Sequence, residues 1–233
     1  MENLEILYED NHIIVVQKPQ NILSQGDETG DKSLLDIVKD YIKEKYNKKG
    51  NVYVGLVHRL DRPTGGIMVF AKTSKAAERL SSQLKDKTFS KKYLAVVVGT
   101  PKYKSSRLEH YLRKDEKENK VSVCTRSTDG AKQAILEYKT IKSDKGLSLL
   151  EIKILTGRSH QIRVQMAEIK NPIFGDQKYG MELPQRINLA LWAYELSFIH
   201  PTNKKEMIFK SIPPIKNAPW NIFENEINKL TNI

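Results

Sequence analysis

The chain has one cysteine, Cys124, among 233 residues, which excludes an internal disulfide and any zinc cluster built from thiolates. Its five histidines are scattered without HExxH spacing, so no metal site is expected. No stretch approaches the roughly 18 uncharged apolar residues that cross a bilayer. The start, MENLEILYED, is acidic where a secretory leader is basic and then apolar, and the chain reads as cytoplasmic. Phosphate-loop and dinucleotide fingerprints are also missing, because Gly65 and Gly66 lack the further glycine, lysine and hydroxyl those sites need. No nucleotide cofactor is therefore implied.

What the chain has in excess is positive charge. Lys and Arg number 39 against 28 for Asp and Glu, a formal net charge of +11 with a pI near 9.5. Such a field attracts polyanions, and nucleic acid is the leading partner class, with an anionic membrane surface and a merely solubilising charge as the alternatives. At 39% hydrophobic the chain can bury a core without crosslinks.

IIVVQKP, residues 13 to 19, reads as a strand stopped by proline, followed by a polar loop. LLDIVKDYIKEKY places Leu34, Ile37, Val38, Tyr41, Ile42 and Tyr46 near one helical face, with Asp31 and Ser33 as caps. YVGLVHRLD enters as a strand and GIMVFAK leaves as another. SKAAERLSSQL reads as a helix and KKYLAVVVG as a buried strand. Residues 102 to 133 are the most charged part and suggest a mobile excursion such as an exposed hairpin. AILEYKTI and LSLLEIKIL alternate as strands around the turn KSDKG. In TGRSHQIRVQMAEI, Ser159 is placed to cap a helix that turns Ile162, Met166 and Ile169 inward. NPIFGDQKYG is a turn-rich loop, LALWAYELSFIHP and EMIFKSIPP are two more strands, and NIFENEINKL is a closing helix. Many strands with few helices argue an α+β fold with a mixed, largely antiparallel central sheet and flanking helices, in a single domain spanning 1–233.

The stretch HRLDRPTGG, His58 to Gly66, sets one carboxylate, Asp61, in a connection between strands. Enclosed by folding, that carboxylate needs a cation, and Arg59, Arg62, Arg158 and Arg163 are the candidates. A carboxylate so paired can act as a base or a nucleophile; for an arbitrary aspartate the default is a turn residue with a surface ion pair. Tyr93, inside an apolar strand, is a core aromatic or the ring beneath an extruded base, and composition does not choose between them.

Three separated strings, IIVVQKPQNILS, HRLDRPTGG and LTGRSHQIRVQMAEIKNPIFGDQKYG, resemble the signatures of the RluA-type family of RNA pseudouridine synthases, over roughly residues 8 to 210. The resemblance implies a pseudouridine synthase catalytic domain without the small N-terminal RNA-binding domain of many relatives. It also implies isomerisation of uridine to pseudouridine in ribosomal or transfer RNA without metal or organic cofactor. Asp61 would be the essential residue, acting on the ribose as a nucleophile at C1′ or as a base. Arg163 would pair with Asp61, and Tyr93 would stack on the target base. Arg59 would fill the gap left by the extruded uridine, whose unstacking costs a few kcal/mol. Arg62, Arg158, His160, Gln161 and Ile162 complete the substrate-binding candidates.

The sequence departs from the usual signatures at Asn21 and at Lys170 with Asn171, where glycine and a Gly-His pair are common. It departs again at Gly65 in place of serine and Gln165 in place of histidine. The partner is expected to be structured RNA, bound by a monomer through its basic surface and the 102–133 excursion. The other readings are a binding-only RNA or ribosome-assembly factor, in which Asp61 and Arg163 form a structural ion pair, and a metal-dependent nuclease. No acidic or histidine cluster for the latter can be assembled from the string.

Overall fold

A computed structural model describes residues 4–180 and 187–231. In chain order the elements are β1 (Ile6–Glu9), β2 (Ile13–Lys18), α1 (Leu34–Lys45), β3 (Gly55–Leu56), β4 (Gly65–Ala71), α2 (Ser74–Lys85), β5 (Ser90–Val98) and β6 (Ser105–Asp115). There follow β7 (Lys120–Cys124), β8 (Lys132–Asp144), β9 (Leu147–Ile154), α3 (Gln161–Glu168), β10 (Leu191–Ile199), β11 (Glu206–Lys210), a 3₁₀ turn (Trp220–Phe223) and α4 (Glu224–Thr231). The fold is α+β with largely antiparallel pairing, as the alternation of apolar residues predicts. Two compact units divide the chain: Met1–Ser90 with Ala193–Ser211, and Lys91–Trp192 with Ile212–Ile233.

In the first unit the strand order is β1-β2-β4-β10, with β3 on β4 and β11 on β10. β2 and β4 pair antiparallel from Ile13↔Ala71 to Lys18↔Gly66. Both strands are buried along their length apart from Gln17, which accounts for their nearly unbroken apolar composition. Ile13, Val15, Ile67 and Val69 share one core cluster with Ala76 and Leu80 of α2, Phe89, and Phe198 of β10. The helix α1 begins at Ser33, whose Oγ accepts from Asp36 N while the Asp36 carboxylate accepts from Ser33 N. This reciprocal cap confirms Ser33 over Asp31. Leu34, Ile37, Val38 and Ile42 are buried, but Tyr46 is exposed rather than inward. Its hydroxyl donates to Glu9 at 2.8 Å.

Gly66 is a position no other residue can fill. Its φ is +120°, and a Cβ there would lie 2.2 Å from the carbonyl oxygen of Ala193 on β10. Gly66→Ala is expected to destabilise the protein by roughly 3 kcal/mol or more, since rigid backbone must move and the φ is unfavourable. Urea unfolding of the variant measures this.

Glu9 ends β1 with its carboxylate almost fully enclosed. It accepts from Tyr41 (3.0 Å), Tyr46 (2.8 Å), Lys45 (2.6 Å) and Lys72 (2.6 Å). Burial pushes its pKa up, but the hydrogen bonds from Lys45, Lys72, Tyr46 and Tyr41 outweigh that and hold it at about 2, against an ordinary 4.5. A carboxyl depressed in the folded state stabilises above its unfolded pKa. The benefit is lost as pH falls from about 4.5 towards 2. Glu9→Gln should therefore flatten the acid limb of a thermal-stability profile and cost about 1–2 kcal/mol at neutral pH, the exposure of Lys45 moderating the effect.

The second unit has the order β5-β9-β8-β6-β7, all antiparallel. The β8–β9 hairpin turns at Lys145 and Gly146, with φ of +49° and +74°, as the string KSDKG anticipates. The charged segment is indeed a hairpin, β6–β7, and β6 is laddered onto β8 from Ser105↔Lys139 to Leu112↔Lys132. Three local expectations are corrected. The strand expected over YVGLVHRLD shortens to Gly55–Leu56. Ser159 does not cap α3: the N-cap is His160, in the left-handed region at φ +51°, with no side-chain cap. Ile169 lies at the C-cap and is half-buried, while Ile162 and Met166 are buried as expected.

Candidate active site

In the first unit the segment from His58 to Thr64 leaves β3 and enters β4 without regular structure of its own, so its shape must come from elsewhere. The polar loop after β2 supplies it. The Lys18 ammonium, fully buried, donates to the carbonyls of Pro19 (3.0 Å), Ile22 (2.6 Å) and Arg62 (3.0 Å). Three acceptors match the three donors of the charged amine. Ser24 Oγ donates to Leu60 O at 2.7 Å and accepts from Leu60 N at 3.0 Å, while Gln20 Nε2 donates to Pro63 O at 3.0 Å. Asn21 N adds a bond to Arg62 O. The backbone on both sides of Asp61 is thereby held by side chains from about forty residues earlier.

Burial lowers the Lys18 pKa to about 7; the Asp61 carboxylate pulls it back up, and the Arg62 charge pushes it further down. Lys18 and Asp61 are thus electrostatic partners. Asp61 is half-buried and its carbonyl accepts from Thr64 N at 2.9 Å, closing a turn. Arg62 is exposed. Its Nη2 pairs with Asp31 at 2.7 Å and its Nε donates to Asn21 O at 3.1 Å, so it braces the neighbouring loop. Arg59 is also exposed. Of the sequence candidates, the first unit brings together Asp61 and Arg62, with Arg59 two residues from the carboxylate.

In the second unit Tyr93 lies on β5 opposite Ile152 of β9 and is buried. Arg163, on the first turn of α3, is buried as well. Its Nε and Nη2 donate to the two oxygens of Asp176 at 2.8 and 2.7 Å, a two-point fork whose carboxylate side chain has no exposed surface. Asp176 Oδ1 also accepts from Lys178 N (3.0 Å) and Tyr179 N (3.1 Å). The third guanidinium nitrogen, Nη1, stands outside this fork. The guanidinium lies over the Tyr179 ring, 5.1 Å from its centroid, and the Tyr179 hydroxyl accepts from Val121 N of β7 at 2.8 Å. The same hydroxyl is 2.6 Å from His160 Nδ1.

Gln161 anchors the loop ahead of the helix. Its Oε1 accepts from Thr156 Oγ1 (2.7 Å) and Arg158 N (3.0 Å), and its Nε2 donates to Ile135 O (2.9 Å). Arg158 Nε donates to Gln133 O at 2.9 Å, and Ile162 is buried. The second unit therefore gathers Arg163, His160, Gln161, Arg158 and Ile162 around one helix start.

Sequence reasoning missed Asp176 and Tyr179 as the partners of Arg163 and His160, although GDQKYG lies within the longest of the quoted strings. It also missed Lys18 and Ser24 as the clamps on the Asp61 segment. Two of the noted departures adopt positive φ: Asn21 and Lys170 have φ of +67° and +64°, the region where glycine is favoured and asparagine tolerated. Gln165, in place of histidine, is buried and donates to Ala134 O at 3.1 Å. Among the described residues no group of histidines, cysteines and carboxylates is arranged to hold a metal ion, and no helix is long and apolar enough to cross a membrane.

Comparisons with known proteins bear on the fold and the family. A human structure, RNA pseudouridylate synthase domain containing 4, superposes with a TM-score of 0.76 at 23% identity, covering 90% of this chain and 88% of that one. The fold is that of a pseudouridylate synthase. The family described as RNA pseudouridylate synthase matches residues 12–168, and the chain belongs to it, in agreement with the RluA-type signatures. An uncharacterized RNA pseudouridine synthase of Mycoplasma genitalium is 34% identical over 88% of this chain and 65% of its own length. Ribosomal large subunit pseudouridine synthase D of Borreliella burgdorferi is 34% identical over 90% of this chain and 65% of its own. The chain thus spans just under two thirds of the length of these curated relatives.

Proposed function

We propose that the protein isomerises specific uridines in structured RNA to pseudouridine, with Asp61 as the essential residue and the target base extruded from its stack. The observation that carries the reading is that the family match includes Asp61, in a segment whose main chain is clamped at Leu60, Arg62 and Pro63. A carboxylate that must meet a single ribose carbon gains from such preorganisation. In this reading Asp61 acts on the ribose as nucleophile or base, Arg163 pairs with it, Tyr93 stacks on the uracil, and Arg59 fills the vacated stack. His160, Gln161, Ile162, Arg158 and Arg62 shape the substrate surface. The basic charge supplies salt-sensitive phosphate contacts, and the work is done in the cytoplasm by a single domain acting as a monomer.

Large-subunit ribosomal RNA is the first substrate to test, since one of the relatives is named for it. Pseudouridine is mapped chemically in ribosomal and transfer RNA from cells lacking the protein, complemented with wild type or with Asp61→Ala. A site restored by wild type alone supports the reading and names the uridine. A map identical in all strains counts against it and favours a binding-only role.

A further inference from the structure

Lys91 precedes Tyr93 by two residues on β5, so the two side chains leave the strand on the same face. The Lys91 side chain is drawn inward, and its ammonium lies 3.8 Å from where a side chain at Gly157 would begin. Burial lowers its pKa to about 8, with no carboxylate opposing the shift. Part of the residue stays open to solvent, so a ligand can reach it.

The other deep lysines are provided for differently. Lys18 has three carbonyls, and Lys72 has Glu9 and the carbonyl of Asp10. For Lys91 no hydrogen bond or ion pair is formed among the described residues. A desolvated ammonium without a counterion is costly, and an anion arriving from outside removes the cost.

We propose that Lys91 binds an anionic oxygen of the nucleotide being isomerised, supplied either by its phosphate or by O2 or O4 of the uracil while the base is detached. The proposal rests on the isomerase reading above. When the C1′–N1 bond breaks, its electron pair leaves with the base, and the uracil carries a negative charge over N1, O2 and O4. The ribose is held by Asp61, either through a bond at C1′ or by loss of a ribose proton to it. After the base turns, C5 bonds to C1′ as the Asp61–C1′ bond breaks or as Asp61 returns its proton to the ribose; C5 then gives up its proton to a base, and N1 is protonated. Lys91 keeps its own proton throughout and donates hydrogen bonds only.

The test has two readouts on the full chain. First, the side-chain nitrogen resonance of Lys91 is followed by NMR during titration with uridine 5′-monophosphate, uridine and ribose 5-phosphate. A saturable shift with the monophosphate is expected. Sharing of that shift by ribose 5-phosphate assigns the phosphate, and sharing by uridine assigns the base. Second, tritium release is measured from transcripts of large-subunit ribosomal RNA and transfer RNA carrying 5-tritiated uridine.

Lys91→Met is expected to lower turnover about 100-fold with RNA affinity little changed if the base is the ligand. It is expected to weaken RNA affinity about 10-fold, with a salt dependence shallower by about one, if the phosphate is. Lys91→Arg should recover part of either loss, and Lys91→Met should melt at or above the wild-type temperature, because a partnerless buried charge is gone. A resonance unmoved by all three ligands overturns the proposal, as does a Lys91→Met protein with wild-type turnover and affinity or one that melts lower. If wild type releases no tritium from any transcript, the isomerase reading fails, while the resonance still decides whether Lys91 binds a nucleotide oxygen.

Discussion

Replacing Asp61 by alanine is expected to reduce pseudouridine formation by more than about 10³-fold while leaving the melting temperature within a few degrees of wild type. The segment around it owes its shape to bonds that do not use the Asp61 side chain: Lys18 to Arg62 O, Ser24 to Leu60, and Gln20 to Pro63 O. The backbone should therefore persist. One local change is expected. The Asp61 carboxylate offsets part of the burial that lowers Lys18, so its removal should push the Lys18 pKa down further. RNA affinity should fall little, since on the proposed reading it is spread over many phosphate contacts. Tritium release, a thermal melt and a filter-binding titration on one preparation separate these effects. An Asp61→Ala protein that still forms pseudouridine at a wild-type rate would sink the assignment.

Asp176→Ala is the second large effect expected, and it should act on stability as well as turnover. Arg163 is buried and commits Nε and Nη2 to the two Asp176 oxygens, so truncation leaves a desolvated guanidinium without its two-point acceptor. Breaking a buried pair from one side costs about 3–5 kcal/mol. The cost extends to the loop, because the same carboxylate accepts from Lys178 N and Tyr179 N. Tyr179 in turn reaches Val121 and His160. Asp176→Asn retains one acceptor oxygen and should cost less, near 2 kcal/mol. Urea unfolding ranks the variants, and Asp176→Ala with wild-type stability would show that the fork contributes little.

The elements that could be read from the string are those whose burial follows a simple period. β2 and β4 are continuous apolar runs because both faces are covered, and α1 and α2 carry their buried residues at helical spacing. The start of α3 was read less well. Six successive residues from Gln161 to Met166 are buried, so no polar face marks the helix, and its cap has none of the usual side-chain chemistry. The short β3 reads as longer in the string because Val57 and Leu60 are buried in the core yet follow no ladder.

Composition, charge and three ordered strings by themselves determined the family, the fold class and the choice of Asp61, Tyr93 and Arg163 as candidates, because residue type and spacing are local properties of the chain. Only the tertiary structure decided that Lys18 holds the carbonyl of Arg62, that Asp176 grips Arg163, that Gly66 lies against Ala193, and that Lys91 has no hydrogen-bond or ion-pair partner among the described residues. Each of those facts depends on which distant groups burial brings within hydrogen-bond or contact distance, and on the cost of enclosing a charge, which is set by surroundings a linear string does not contain.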